Sequence, residues 1–214
     1  MRRIILACET IKDEVEHVMR LTHCNYNVKW IESGLHNSPV KLNARLQEEL
    51  DKLNHYDQIL MAFGSCGKAV HGLKSGNFEI ILPLVDDCFT LLLGSKEIRD
   101  KINEETPTYF LTEGWLRGER NIWIEYEYAL KKYGEKSGRS IMALVLGNYK
   151  RLSVIGLGCN NMTALISQTR RIASELKLDH EVLSGSVDYL TELLTCDWSD
   201  DRFLIVPRYS QIIL

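Results

Sequence analysis

Short apolar runs of strand length alternate with amphipathic stretches along almost the whole chain, and this alternation restricts the fold more than any other feature. The runs fall at 3–8, 27–32, 57–63, 78–85, 107–112, 151–157, 180–183 and 202–206. Between the first two, Ile11, Val15, Val18 and Leu21 recur at three- and four-residue spacing and predict a helix over 11–21, with Thr10 as its cap. Val40, Leu42, Leu46, Leu50 and Leu53 predict a buried helix face over 39–53, with Ser38 as N-cap and Pro39 in the first helical position. A short helix is expected after Cys66, and longer ones at 91–105, 121–133, 139–149, 162–177 and 187–195. The expected fold is therefore α/β: a mostly parallel sheet with helices on both faces, a Rossmann-like three-layer sandwich, in a single domain over 1–214. Strand, cysteine and helix recur in that order at 3–21, 57–74 and 151–177, which suggests two pseudo-equivalent halves; a sub-lobe boundary would fall near 113–139.

Composition removes several classes of function. Of the 214 residues, 45% are hydrophobic and 26% charged, enough for a sizeable core. The net charge of −3 gives no broad basic face for nucleic acid. Arg2-Arg3 precede an apolar run that Glu9 interrupts, unlike the long apolar core of a signal peptide. No stretch approaches the roughly 18 apolar residues of a membrane span. A cytoplasmic protein is expected, and there thiols stay reduced, so the six cysteines are expected to be free, ligating or catalytic.

Four of those six thiols share one setting. Cys8, Cys66, Cys88 and Cys159 each stand where an apolar run ends. In a parallel sheet those ends share one edge, the edge where open α/β sheets bind ligands. A thiolate-lined pocket follows, suited to a metal ion, an iron–sulfur cluster or a reactive thiol. In Gly64-Ser65-Cys66-Gly67 the two glycines let the backbone turn sharply against a ligand, which makes Gly64, Ser65 and Gly67 cofactor-binding candidates. In Asp86-Asp87-Cys88 one acid suits the N-cap of the next helix, and Asp87 beside a thiol suits proton transfer or ligand orientation. Glu9, next to Cys8, is a candidate general acid or base, and His36, in the loop after the second run, is the best placed histidine. Trp115, at the turn after the fifth run, is positioned to shield a cofactor. Cys24 and Cys196 fall near helix ends and read as ordinary half-buried thiols. The competing reading of the four strand-end cysteines is small buried residues that fill space.

No compact motif is complete. The chain has no C-x-x-C pair, P-loop, nucleophile elbow or H-E-x-x-H, and Gly156-Leu157-Gly158-Cys159-Asn160-Asn161 lacks the last glycine of a dinucleotide fingerprint. Any site must be assembled from distant segments.

The chain resembles the DUF1638 family, proteins of anaerobic archaea and bacteria. The resemblance rests on Ile5-Leu6-Ala7-Cys8-Glu9, His36-Asn37-Ser38-Pro39, Phe63-Gly64-Ser65-Cys66-Gly67, Asp87-Cys88 with Leu91-Leu92-Leu93-Gly94-Ser95, and Tyr109-Phe110-Leu111-Thr112-Glu113-Gly114-Trp115. The family's pattern often has a histidine before the Asp-Cys pair, where this chain has Asp86. It implies Cys8, Cys66 and Cys88 as a core set, with Cys159 an optional fourth, and a corrinoid protein or a methyltransferase as a partner.

The expected function is a cysteine-ligated centre at the carboxyl edge of the sheet, preferably an iron–sulfur cluster, in anaerobic one-carbon or corrinoid metabolism. Glu9, His36 and Asp87 would handle protons or orient a ligand. Two alternatives stand beside it: a zinc-dependent methyltransferase that activates a substrate thiol, and a non-catalytic accessory or cofactor-delivery protein for a corrinoid methyltransferase that docks through Trp123 to Tyr133.

Overall fold

The computed structural model describes residues 1–118, 121–158, 161–199 and 201–214, and only the backbone of His36. Strand β1 (Arg3–Cys8) is the hub of the larger sheet. Its residues Ile4, Ile5, Leu6 and Ala7 are buried on both faces, as a central parallel strand requires. β1 pairs in parallel with β2 (Asn27–Ile31) on one side and β3 (Gln58–Ala62) on the other. β4 (Glu79–Pro83) adds in parallel to β3. The connections are α1 (Lys12–Leu21) between β1 and β2, and α2 (Pro39–Asp51) between β2 and β3. The strand order β2-β1-β3-β4 therefore reverses direction between β1 and β3, which opens a crevice above their carboxyl ends.

After β4 come α3 (Cys88–Leu93) and α4 (Lys96–Glu105), and the chain then leaves this sheet. A second, fully parallel sheet contains β5 (Thr108–Leu111), β6 (Arg151–Gly156) and β7 (Asp179–Ser184) in that order. Between β5 and β6 lie α5 (Glu113–Arg117), α6 (Ile122–Tyr133) and α7 (Glu135–Val145); α8 (Met162–Leu176) joins β6 to β7. Helix α9 (Asp188–Thr195) returns to pack on α1, α3, β3 and β4, and β8 (Phe203–Val206) closes the first sheet antiparallel to β4. The α/β class and the mostly parallel pairing match the sequence reading, while the strands divide between two sheets.

The main core surrounds the first sheet, where Ile5, Leu6, Leu46, Leu60, Phe63 and Leu193 are sealed from solvent. Smaller cores lie between α6 and α7, around Tyr126 and Met142, and beneath α8, around Leu152 and Ile172. Among the described residues no helix is long and apolar enough to cross a membrane.

Several local expectations change in physical detail. The helix expected over 91–105 is two helices, because Gly94 adopts φ +91° and Ser95 caps α4 by accepting from the Ile98 amide at 3.2 Å. No helix follows Cys66: successive positive φ values of 47°, 68° and 68° at Cys66, Gly67 and Lys68 form irregular turns. Ser38 makes no side-chain cap, although Pro39 does start α2. Val40 is exposed at 80%, off the buried face of its helix. Thr10 faces the thiols instead of capping α1, which begins two residues later.

One charge cluster fastens α2 to the edge strand β2. Glu49, with a side chain only 4% exposed, pairs with Lys29 of β2 at 3.0 Å and Lys52 at 2.9 Å, and with Arg45. Burial pushes its carboxyl up, but the hydrogen bonds from Arg45, Lys52 and Lys29 prevail and hold it down at about 2. A folded-state value below the unfolded one of about 4.5 stabilises the protein above pH 4.5, and that contribution disappears as the pH falls toward 2. E49Q is expected to lower stability by about 1–2 kcal/mol at pH 7, since the cationic partners are largely solvated. Urea titrations should show this gap narrowing steadily below pH 4.5.

Candidate functional site

Three thiols meet above the carboxyl ends of β1, β3 and β4. Cys8 is the last residue of β1, and the 3-10 turn Glu9–Ile11 that follows brings Thr10 back over it. Thr10 Oγ1 lies 3.1 Å from Cys8 Sγ and 3.9 Å from Cys88 Sγ, so one hydroxyl bridges two thiols. Cys66 arrives from the β3 side. The Ser65 and Cys66 amides donate to the Val85 and Asp86 carbonyls, each at 2.8 Å, and Ser65 Oγ donates to the Asp86 carbonyl at 3.1 Å. These bonds zip the two loops together beyond the end of the β3–β4 ladder.

Two glycines make the convergence possible. A Cβ on Gly64 would stand 2.5 Å from the Asp87 Cα, inside the backbone of the Cys88 turn. A Cβ on Gly114 would stand 2.1 Å from the Thr10 carbonyl oxygen. The first contact joins the turns that carry Cys66 and Cys88. The second lays α5 of the smaller sheet against the segment that follows Cys8. Thr112 caps α5, accepting from the Trp115 amide at 3.3 Å, and its hydroxyl lies 3.5 Å from the Thr10 carbonyl. Trp115 is thereby positioned over Phe89, with ring centroids 4.8 Å apart, and it makes a side-chain hydrogen bond to Cys88.

The electrostatics follow from this crowding. Burial raises the Cys8 thiol above its ordinary value. Cys66 is pushed up to about 12, first by burial and then by Cys8 and Asp87. Cys88 is also raised well above its ordinary value, by burial and then by Cys66, Cys8 and Asp87, against the opposing hydrogen bond from Trp115. The three groups thus sense one another and stand protonated near neutral pH.

Beside them opens a cleft of about 490 Å³. It is lined by Ser65, Cys66, Gly67 and Lys68 of one loop, by Asp86, Asp87, Cys88 and Phe89 of the other, and by Trp115. Ser65, Gly67 and Trp115 are thus brought together in the lining of one cleft. Gly64 lies behind that lining, holding it in place by its contact with Asp87. Asp87 lines the cleft with both oxygens engaged. Oδ1 caps α3, accepting from the Thr90 amide at 2.9 Å and from its hydroxyl at 3.0 Å, and Oδ2 pairs with Arg99 at 2.8 Å. Glu9 borders a separate polar cleft of about 340 Å³ together with Lys12, Asp13, Ser33 and Arg117. His36 belongs to the 3-10 turn Ser33–Asn37, and Pro39, three residues on, lies against Gly67 at 3.2 Å from where a Cβ there would stand. Cys159 lies outside the described residues. Cys24 and Cys196 are free and partly exposed, away from the cleft.

Among the described residues no three His, Cys, Asp or Glu side chains are close enough, as they stand, to hold a metal ion. The Thr10 hydroxyl separates two of the sulfurs, so a single ion would require the side chains to turn inward.

A family model for proteins of unknown function, DUF1638, matches residues 30–194. The chain belongs to that family. The matched region of this DUF1638 protein contains the Cys66 and Cys88 turns, the Gly114-Trp115 segment and the whole second sheet, and begins after Cys8. No curated protein and no solved structure matches the chain.

Sequence reasoning missed Thr10 as the bridge between thiols, Phe89 as the partner of Trp115 and Arg99 as the counter-ion of Asp87. Arg99 carries no signal in sequence, since it reaches the site only through the break at Gly94. G64A is expected to destabilise the fold by about 2–3 kcal/mol, because the new methyl must displace backbone. G34A should be close to neutral, since nothing lies within 4 Å of its Cβ position; thermal melts of both proteins provide the comparison. Iodoacetamide at pH 8 is expected to label Cys24 and Cys196 well before Cys8 and Cys88, as read by peptide mass mapping, with Cys66 labelling rising as the pH approaches about 12.

Proposed function

We propose that Cys8, Cys66 and Cys88 ligate an iron–sulfur cluster at the carboxyl edge of the first sheet. The supporting observation is the convergence of three thiols from three separate loops, Cys8 and Cys88 bridged by Thr10 and Cys66 close enough to sense Cys8 and to be sensed by Cys88. Neutral thiols crowded in this way gain from a cationic centre that draws off their protons. Soft sulfur donors suit zinc or an iron–sulfur cluster. Donors set apart by a hydroxyl suit a cluster, whose irons each take one cysteine, better than a tetrahedral ion with every sulfur about 2.3 Å from one point. With three protein ligands, a cluster offers one iron to an external donor.

The chain's own residues have distinct parts in this reading. Thr10 supplies a hydroxyl to two of the sulfurs. Asp87, held by Thr90 and Arg99, orients the Cys88 turn, and Ser65 and Gly67 form the cradle next to Cys66. Trp115 and Phe89 exclude water from one side. Glu9 and the His36 segment are the groups that would hold or move protons at the rim. Cys159, after β6, enters as the optional fourth ligand. The partner class in this reading is a corrinoid protein or a methyltransferase, as the family resemblance implies.

Anaerobic purification with iron and acid-labile sulfide analysis is the test. Iron and sulfide together are expected, lost in C66S and C88S and retained in C24S, with circular dichroism confirming that each variant is folded. Zinc without sulfide would replace the cluster with a thiol-activating zinc site. An absence of metal after reconstitution, or retention in both C66S and C88S, would overturn the reading.

A further inference from the structure

The cleft beside the thiols carries charge and shape that the cluster does not use. Its lining includes three charged side chains: Lys68, Asp86 and Asp87. Both acids have cationic partners, Asp86 with Lys96 at 2.8 Å and Asp87 with Arg99 at 2.8 Å. Lys68 forms no ion pair among the described residues. Lys68 is therefore the charged group of the cleft lining that has no ion partner among the described residues, while Lys96 is shared between Asp86 and Asp100. The backbone there is also unusual. Cys66, Gly67 and Lys68 are successively left-handed, and the Gly67 and Lys68 amides donate to no acceptor among the described residues. A lysine at φ +68° is strained relative to glycine.

The cleft lining also has an apolar aromatic part. Phe89 and Trp115 stack at an interplanar angle of 27°, both rings belonging to the cleft lining. A volume of about 490 Å³ lies within the usual range for small-molecule sites, roughly 300–1,000 Å³.

We infer that this cleft binds a small monoanionic ligand, with its carboxylate-like head at Lys68 and the Gly67–Lys68 amides and its planar or apolar body against the Phe89–Trp115 stack. The charged head supplies orientation and the aromatic wall supplies contact area. This goes beyond the cluster reading and needs no metal: charge, free amides and stacked rings are present in the chain itself.

Calorimetric titration of the isolated protein with benzoate and with its neutral isostere benzamide tests the inference. Benzoate is expected to bind about tenfold more tightly than benzamide, which is the scale of one charge-assisted contact. K68Q and K68M should abolish that preference while K68R keeps it; all three retain the backbone strain of the wild type, so a loss of binding reports charge. F89A should weaken both probes together. Equal affinity for the two probes, no detectable benzoate binding, or an unchanged preference in K68Q and K68M would each overturn the inference. Iron and sulfide measured on the same samples separate the two proposals: a preference for benzoate in metal-free protein leaves the anion site standing and removes only the cluster.

Discussion

The backbones of Gly64 and Asp87 touch, and the arrangement above the first sheet depends on that contact. Where β3 and β4 stop pairing as strands, the Ser65 and Cys66 amides continue to bond across to Val85 and Asp86. Any side chain at position 64 would wedge the two loops apart and carry Cys66 away from Cys88. The second close approach, Gly114 on the Thr10 carbonyl, acts in the same way between the two sheets. Two missing Cβ atoms thus let three loops and one helix share a space otherwise too small for their backbones.

What gathers there has a consistent physical character. The thiols are desolvated, close to one another and raised in pKa, a state that costs little only while they remain protonated or are bound by a cation. The acids around them are committed elsewhere: Asp87 to the cap of α3 and to Arg99, Asp86 to Lys96. Lys68 and the stacked Phe89–Trp115 pair give the lining of the neighbouring cleft a cation and a flat apolar surface. Glu9 lines a separate cleft, together with Gly114.

Much of the fold was legible because its period is local. The apolar runs at Ile4–Ala7, Ile59–Phe63 and Ile80–Leu82 are buried on both sides and read as parallel strands before any contact is known. The helices α1 and α2 follow from apolar spacing. The misreadings share one cause: positions where a tertiary partner outweighs local preference. Thr10 resembles a helix cap but turns toward Cys8 and Cys88. Leu91 through Glu105 has the composition of one helix, yet Gly94 breaks it so that Ser186 can donate to the Leu92 carbonyl at 2.7 Å and Arg99 can reach Asp87.

By itself, the sequence determined that the protein is α/β, that Cys8, Cys66 and Cys88 follow apolar strand runs, and that Gly64, Ser65 and Gly67 bracket one of them in a tight turn. These follow from hydrophobic period and from glycine's missing side chain, which act over a few residues. The tertiary structure alone decided that the strands form two sheets, that the order reverses between β1 and β3 to open the crevice, and that Cys8, Cys66 and Cys88 come together there, the first and last bridged by Thr10. It also decided that Asp87 is paired with Arg99 and that Phe89 lies under Trp115. Those facts depend on contacts between segments far apart in the chain, and no spacing along one strand or one helix encodes them.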